Sequence, residues 1–530
     1  MSKRMAKNAL LLLMFLIVLV GCSDKNSDKD GNTNDDQATE VQAGGEMNIA
    51  YAAQPPTLDP HMTTAVATSD MMKGVYETLI AVDSNYEFQP MLADSYDLSD
   101  DGKVITFKLR EGVKFHNGEE MLAEDVIASM ERWAEKSSRG IEQFGDAVFE
   151  ADGDYTVIIT LPQPLSTTLS ALTGTVGSYP AIMPKEVIDS ATETGVTEYI
   201  GTGPFQFNEW KADSYLHLTK FDDYQSRTEE ADGLAGKKEA LVDDVYFHFV
   251  SDSSTRIAGI MSGEYDMIHS VPYDSAPQLD QADNVETHVV PGGTLVLLMN
   301  KKAGLFTDVK AREAVETALS MEEVLQSGFS NEEYYTLNHN LVMPHLEGLF
   351  YSDVRKDRYN LNDPEKAKQI LADAGYEGEE ITIITTRDYE EQYNASVVVQ
   401  ERLEQIGLKV NLEVYDWPTL LEKREDENNY DINIMGLGPQ PEPTSYLFLT
   451  KGPQSGWLDS EEFDQLVDDF RHQPSLADTK DAYAAIQQWN ADNIPFIKLG
   501  DYNRLVATGS NVKNFQFLDG FITWNISIDR

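Results

Sequence analysis

Nine histidines stand in the chain (His61, His116, His217, His248, His269, His288, His339, His345 and His472), and no two have the one-turn spacing with an intervening glutamate that a zinc hydrolase uses. No Gly-x-Ser-x-Gly turn exposes a serine nucleophile, and no glycine-rich run has the spacing of a phosphate-binding loop. The single cysteine, Cys22, excludes an intramolecular disulfide and any cysteine-based metal or redox site in the remainder. The densest charge run, Glu422 to Glu427, reads as solvated helix or loop. What the residue types do offer is non-covalent contact. The segment Met435 to Pro443 holds Gly436 and Gly438, whose missing Cβ lets a bound molecule approach the backbone, with Glu442 as the nearest acid. The reading is a binding protein and not an enzyme, with no catalytic residue, no cofactor and no protein-bound metal.

The start of the chain says where such a protein works. Lys3, Arg4 and Lys7 precede an unbroken apolar run from Leu10 to Val20, the pattern of a signal peptide over residues 1–21. Those eleven residues, at roughly 1.5 Å each, reach about half of a ~30 Å hydrocarbon core, too little for a permanent span. Leu19-Val20-Gly21-Cys22 resembles the lipobox at which bacterial lipoproteins are cleaved before a lipid-modified cysteine, so Cys22 is the expected membrane anchor. Residues 22–46 are almost wholly polar and cannot offset their own ordering entropy; they read as a flexible, acidic tether. The expected location is extracytoplasmic and lipid-anchored, on the outer face of a single-membrane cell, with a periplasmic lipoprotein as the alternative. Lys and Arg number 41 and Asp and Glu 90, a net charge of −49 spread along the chain, which repels nucleic acid and favours a monomer.

Beyond the tether, short β-rich runs alternate with amphipathic helical stretches, an α/β pattern. Strands are predicted at Val104 to Leu109, Tyr155 to Leu161, Val245 to Val250, Leu295 to Asn300, Ile381 to Thr385 and Val410 to Val414. Further strands are expected late, at Phe496 to Leu499, Leu505 to Thr508 and Phe521 to Ile526, as if finishing a sheet begun elsewhere. Asp363-Pro364 opens a helix that Gly375 stops, and another runs from Ala395 to Ile406 before Gly407.

One string is more specific. Pro55 to His61, then Leu92-Ala93-Asp94-Ser95-Tyr96, then Ile105 to Gly118 and Ala123-Glu124-Asp125-Val126, closely resemble the signature of the family 5 extracellular solute-binding proteins, the peptide and nickel class. The likeness continues through Gly201-Thr202-Gly203-Pro204-Phe205, Ser253 to Arg256, Gly263 to Asp266, Phe306 to Arg312, and Asp363 to Tyr376. The resemblance implies a two-lobed periplasmic-binding-protein-like fold, class II, with an extra domain inserted in the first lobe. It places the first lobe at 47–290 plus 501–530, the insertion at 81–200 and the second lobe at 291–500. In the family this string marks the fold, so neither Arg110 nor His116 is expected to touch a ligand.

The same resemblance implies a transport role: capture of di- or oligopeptides in an interlobe cleft and delivery to an ABC permease with its ATPase subunits. A nickel chelate, an opine, glutathione or an oligosaccharide is the alternative cargo, and a secreted hydrolase or signalling lipoprotein the alternative class. Arg387-Asp388-Tyr389 stands where dipeptide-binding relatives carry an Arg-x-Tyr that grips the ligand's carboxylate, which makes Arg387 the expected anion clamp and Tyr389 its packing partner. Peptide-binding relatives place a tryptophan after the first glycine of the 436–443 segment and an aspartate three residues on; this chain has Leu437 and Gln440, leaving amine recognition to Glu442 or another acid. Thr63 and Thr64 fall where relatives meet the ligand with hydroxyls and backbone. Trp417 is a candidate for the cleft wall or the core, and Trp524 is treated with the same caution.

Overall fold

The computed structural model describes residues 44–529 except 176, 447, 448, 450 and 451, so the expected signal peptide and Cys22 lie outside the described residues. No helix among the described residues is long and apolar enough to cross a membrane. Local signals set several elements. The Asp363 carboxylate accepts the Lys366 N–H at 3.0 Å to open the helix Pro364–Asp373, Ala367 and Leu371 form its buried face, and Gly375 ends it with φ of +77°. The next helix begins at Glu390, five residues before the expected Ala395, and runs to Gln405 ahead of Gly407.

Ten strands form one sheet in the spatial order Lys409–Tyr415, Glu380–Thr386, Ile432–Leu437, Val285–Met299, Phe496–Gly509, Met267–Ile268, Glu46–Tyr51, Asp244–Phe249, Tyr215–Lys220, Phe205–Lys211, and Tyr335–Thr336 pairs with Phe496–Gly509 off this path. At one end Glu380–Thr386 pairs in parallel with both its neighbours; at the other, Glu46–Tyr51 does the same. Two long antiparallel strands, Val285–Met299 and Phe496–Gly509, join these ends into one sheet. Their register breaks between Pro291 and Gly293 and again between Leu295 and Val296, so each ribbon bends where it passes from one half to the other.

The late β reading needs two corrections. Phe496 to Leu499 and Leu505 to Thr508 are not separate strands but parts of one, because the intervening Gly500 to Arg504 keeps pairing across the bend. Phe521 to Ile526 is not a strand: only an isolated bridge joins Phe521 to Phe517, and the pairing nearby is Ser527–Ile528 with Val512–Lys513. Its apolar residues, Trp524 included, are buried in irregular backbone, which a short hydrophobic run does not distinguish from a strand.

A separate antiparallel sheet, ordered Ala93–Leu98, Val104–Leu109, Thr156–Thr160, Val148–Ala151, packs with the helix Ala123–Lys136 around Phe107, Trp133 and Phe144. The string that carried the resemblance holds this unit to the rest. Arg132 donates to both Asp59 carboxylate oxygens, at 3.2 and 2.5 Å, and to His61 Nδ1 at 2.9 Å; His61 Nε2 meets the Ala181 carbonyl at 2.9 Å. All three side chains are buried, so the Pro55 to His61 loop is a clamp on the insertion's main helix. His116 works in the same way: Nε2 donates to the Gly203 carbonyl at 3.0 Å and Nδ1 accepts the Gly201 N–H at 3.2 Å. Gly201 and Gly203 must be glycine, since a Cβ at either would lie 2.1 to 2.3 Å from the carbonyls of Val75 and Gly74.

Both histidines are therefore neutral, with burial holding each pKa down at about 4 against a usual 6.5. A group depressed in the folded state contributes stability that is present above the unfolded pKa and is lost as pH falls from about 6.5 through about 4. Protonating Nδ1 of His116 would also break its bond from Gly201. The stability difference between the wild-type chain and His116→Gln, measured by denaturant unfolding, should fall by about 2 kcal/mol between pH 7 and pH 5. A difference that does not change with pH would contradict the neutral tautomer.

Candidate functional site

The bend between the halves is packed around one side chain. Tyr502 lies against Gly292, where a Cβ would come within 2.6 Å of its ring, and its hydroxyl passes Gly436, where a Cβ would stand 2.8 Å away. Its ring stacks on Phe329 with centroids 5.0 Å apart and planes at 13°. Gly293, at φ +154°, has no room for a side chain either, since a Cβ would meet the Leu437 carbonyl at 2.0 Å. Gly436 is thus glycine to seat Tyr502, whereas Gly438 faces open space, with nothing within 4 Å of its missing Cβ.

Two residues further along the same strand, and so on the same face, is Arg504. Charged and phenolic groups from distant parts of the chain act on it electrostatically: Tyr51, Asp70 and Tyr502, and also Tyr389 and Glu391. Asp70 accepts the Tyr51 hydroxyl at 2.8 Å, and Tyr51 stacks on His269 with centroids 4.3 Å apart. Burial raises the Asp70 carboxyl, opposed by the nearby Lys73 ammonium. Tyr502 and Arg504 lie on the strand Phe496–Gly509 where it pairs with Val285–Met299 around the register break.

Of the expected contact residues, the structure brings three together on one wall. Arg387 is exposed at the end of Glu380–Thr386, but its guanidinium lies over Tyr393, 4.2 Å from the ring centroid, and donates to that hydroxyl at 2.8 Å. Its packing partner is therefore Tyr393 and not Tyr389. Tyr389, 42% exposed, meets Trp417 edge-on with centroids 5.0 Å apart, and the Trp417 N–H donates to Asp388 at 2.7 Å. Trp417 is half-buried, packing also on the small cluster of Ile384, Leu420 and Tyr430.

Glu442 stands apart from this wall. It is fully buried, and its carboxylate accepts from the Thr444 N–H at 2.6 Å, the Thr444 hydroxyl at 2.8 Å and the Ser445 hydroxyl, capping the short helical turn Pro443–Ser445. Thr63 and Thr64 lie in the loop after the Asp59–His61 clamp. The Thr63 hydroxyl accepts the Ala65 N–H at 3.1 Å, and Thr64 is exposed with its carbonyl against Gly177.

A third set of contacts joins residues 139–166 to residues 445–471. Arg471 pairs with Glu142 at 2.5 Å, the Ser166 N–H and hydroxyl donate to the carbonyls of Arg471 and Phe470 at 2.7 and 2.9 Å, and Arg139 reaches the Ser445 hydroxyl at 3.3 Å beside Glu442. On the other flank Tyr86, hydrogen-bonded to Asp519 at 2.8 Å, stacks on His345 with centroids 4.1 Å apart, and His345 Nε2 meets the Gln440 carbonyl at 2.9 Å. Polar and stacking contacts therefore join residues 86–166 to residues 345–471 at these positions.

The profile of the bacterial extracellular solute-binding proteins, family 5, matches residues 87–457. The chain belongs to this family. Among relatives of the family, it is 30% identical over 464 residues to a probable peptide ABC transporter periplasmic-binding protein of Sinorhizobium fredii, covering 83% of this chain and 86% of that one. It is 27% identical over 551 residues to the oligopeptide-binding protein AppA of Bacillus subtilis, covering 96% of each. Among solved structures, the periplasmic binding protein AgaA of Agrobacterium tumefaciens in complex with agropinic acid superimposes with a TM-score of 0.75 at 25% identity, over 92% of this chain and 99% of that one. The two-lobed fold expected for a family 5 protein is the fold of this chain.

Sequence reasoning missed Arg504, Glu391, Asp70 and the contacts of residues 139–166 with residues 445–471. Arg504 left no trace that sets it apart, because its strand also carries Lys498, Asp501 and Asn503; Glu142 and Arg471, 329 positions apart, left none either. The Glu142–Arg471 pair is partly exposed and contributes about 0.5–1 kcal/mol to closure. Arg471→Glu should weaken solute binding at least two- to five-fold by calorimetry and enlarge the ligand-free protein in small-angle scattering. Adding Glu142→Arg should restore both, and failure of that rescue would remove the pair from the closing mechanism.

Proposed function

We propose that this family 5 protein captures short peptides between its lobes and delivers them to an ABC permease and its ATPase subunits, breaking no bond itself. The observation that carries the reading is the bent two-strand crossing, with the aromatic wall of Tyr389 and Trp417 and the charged groups that act on Arg504. A solute that touches both lobes stabilises the closed form by its differential affinity. The names of the curated relatives, one a peptide transporter's binding protein and one an oligopeptide-binding protein, support peptide as the cargo. In this reading residues 47–290 with 501–530 form the first lobe, 81–200 its insertion and 291–500 the second. Tyr389, Trp417 and Arg387 supply the second lobe's wall, the open backbone at Gly438 lies beside it, and Thr63 and Thr64 face them from the first lobe. Cys22 carries the lipid, and a monomer works outside the cytoplasm.

An opine is the second reading. Gln440 stands where peptide-binding relatives have an amine-binding aspartate, and the oxygens of Glu442 are already taken, which suits a ligand without a free amino terminus. A thermal-shift panel of dipeptides, longer peptides, opines, nickel with histidine, and oligosaccharides separates these cargoes. A solute at 100 times its dissociation constant should add about 2.7 kcal/mol of stability. Peptides should give the shift, and Tyr389→Ala should reduce it; a shift with opines alone would discard the peptide assignment while keeping the transport role.

A further inference from the structure

The strand pair that crosses the sheet ends beside a cavity. Leu298 pairs with Phe496, so the residues after Met299 lie against those before Phe496. Lys301 donates to the carbonyls of Met299, Ser455 and Pro495 at 3.0, 2.6 and 2.9 Å. Arg312 donates to the Asn493 carbonyl at 3.1 and 2.8 Å and to those of Phe306 and Thr307 at 2.6 and 3.2 Å. With Lys302, Trp457 and Trp489 they line a cavity of about 640 Å³, inside the range of roughly 300–1,000 Å³ typical of small-molecule sites. None of its lining residues belongs to the wall of Tyr389 and Trp417 or to the bend around Tyr502. The backbone is left-handed at two places beside it: Trp457 has φ of +56°, and Ile494, between the carbonyls of Asn493 and Pro495, has φ of +43°. Bulky and β-branched residues rarely adopt that conformation, and such strain concentrates where ligands are held.

The charge of this lining is one-sided. Lys301 and Arg312 bond main-chain carbonyls and form no ion pair among the described residues. Burial and the neighbouring Arg312 charge push the Lys301 ammonium well below its usual pKa, and burial holds Arg312 down at about 10. Lys302 is exposed, pairs with Glu427 at 3.3 Å and lies 5.6 Å from the centroid of the Trp457 ring. Asp459 is the one acid on the lining among the described residues, and it is exposed. In a chain of 90 acids and 41 bases, three bases at one cavity are an exception that their mutual repulsion opposes and a bound anion relieves. The three carbonyls take up the Lys301 ammonium, so its part is charge; Arg312 makes four bonds with five N–H groups and keeps one for a ligand. We propose that this cavity is a second ligand site, for a small organic anion whose carboxylate or phosphate head bonds Arg312 and Lys302 and whose flat apolar body lies against Trp457 and Trp489. The site does not rest on the transport reading.

The test titrates the protein with phenyl phosphate and with benzoate, following tryptophan fluorescence and melting temperature. Benzyl alcohol is the neutral probe and inorganic phosphate the head group without a body. At least one of the aromatic anions should bind saturably and raise the melting temperature, the tighter of the two naming the head group, and benzyl alcohol should do neither. Inorganic phosphate should bind at least tenfold more weakly than phenyl phosphate. Lys302→Gln and Trp457→Leu should each weaken the anion at least fivefold; Lys302 is exposed, so its variant should keep the ligand-free melting temperature of wild type and read binding alone. Absence of saturable binding of both aromatic anions by wild type, equal binding of benzyl alcohol, or an affinity unchanged in Lys302→Gln would overturn the site. Loss of the signal in Tyr389→Ala but not in Lys302→Gln would put the anion at the Tyr389 wall and overturn it equally. Inorganic phosphate binding as tightly as phenyl phosphate would overturn the role of the two tryptophans.

Discussion

Everything in this protein hangs on two antiparallel strands, Val285–Met299 and Phe496–Gly509, that belong to both lobes at once. Among the described residues they are the only long hydrogen-bonded path through the middle of the sheet, and they bend where Pro291, Gly292 and Gly293 interrupt the ladder. A bulge there loses little pairing and gains a local twist. The bend is not loose, however, because Tyr502 fills it against three glycines and Phe329. Flexing at this point has to work around a buried aromatic ring, which favours two discrete arrangements over a continuum.

The charged residues divide into two kinds according to whether they have partners. Asp59, His61 and Arg132 bond one another and tie the Pro55 to His61 loop to the helix Ala123–Lys136, so the most recognisable string in the sequence is architecture. Glu142 with Arg471, and Arg139 with Ser445, instead join residues some three hundred positions apart through contacts that are not fully buried. Such pairs are weak individually, which suits a closure that must also reverse.

The regular elements were legible because their signals are local. The cap at Asp363, the stop at Gly375 and the alternation in Val104 to Leu109 each act within a few residues, and each element lies where those residues indicate. The buried segment Phe521 to Ile526 was misread because burial and strand formation ask for the same apolar residues. The site was legible only on the second lobe's wall, where Tyr389 and Trp417 come from consecutive strand ends. The groups around Arg504 were not, because Tyr51, Asp70, Glu391 and Arg504 come from four distant elements that no local pattern relates. Glu442 shows the converse: an acid in a suggestive loop whose hydrogen bonds are spent within three residues of itself.

The strand Phe496–Gly509 sits in the middle of the sheet, yet it follows every other strand of that sheet in the chain. Until it arrives, Val285–Met299 lacks its main partner and Met267–Ile268 has an open edge, so neither lobe has a finished core. Contacts spanning some two hundred residues close slowly, since loop entropy is spent before they yield anything. A chain that has not yet placed this strand therefore holds two unfinished half-sheets, and the fold locks only when residues 496–509 pair with both.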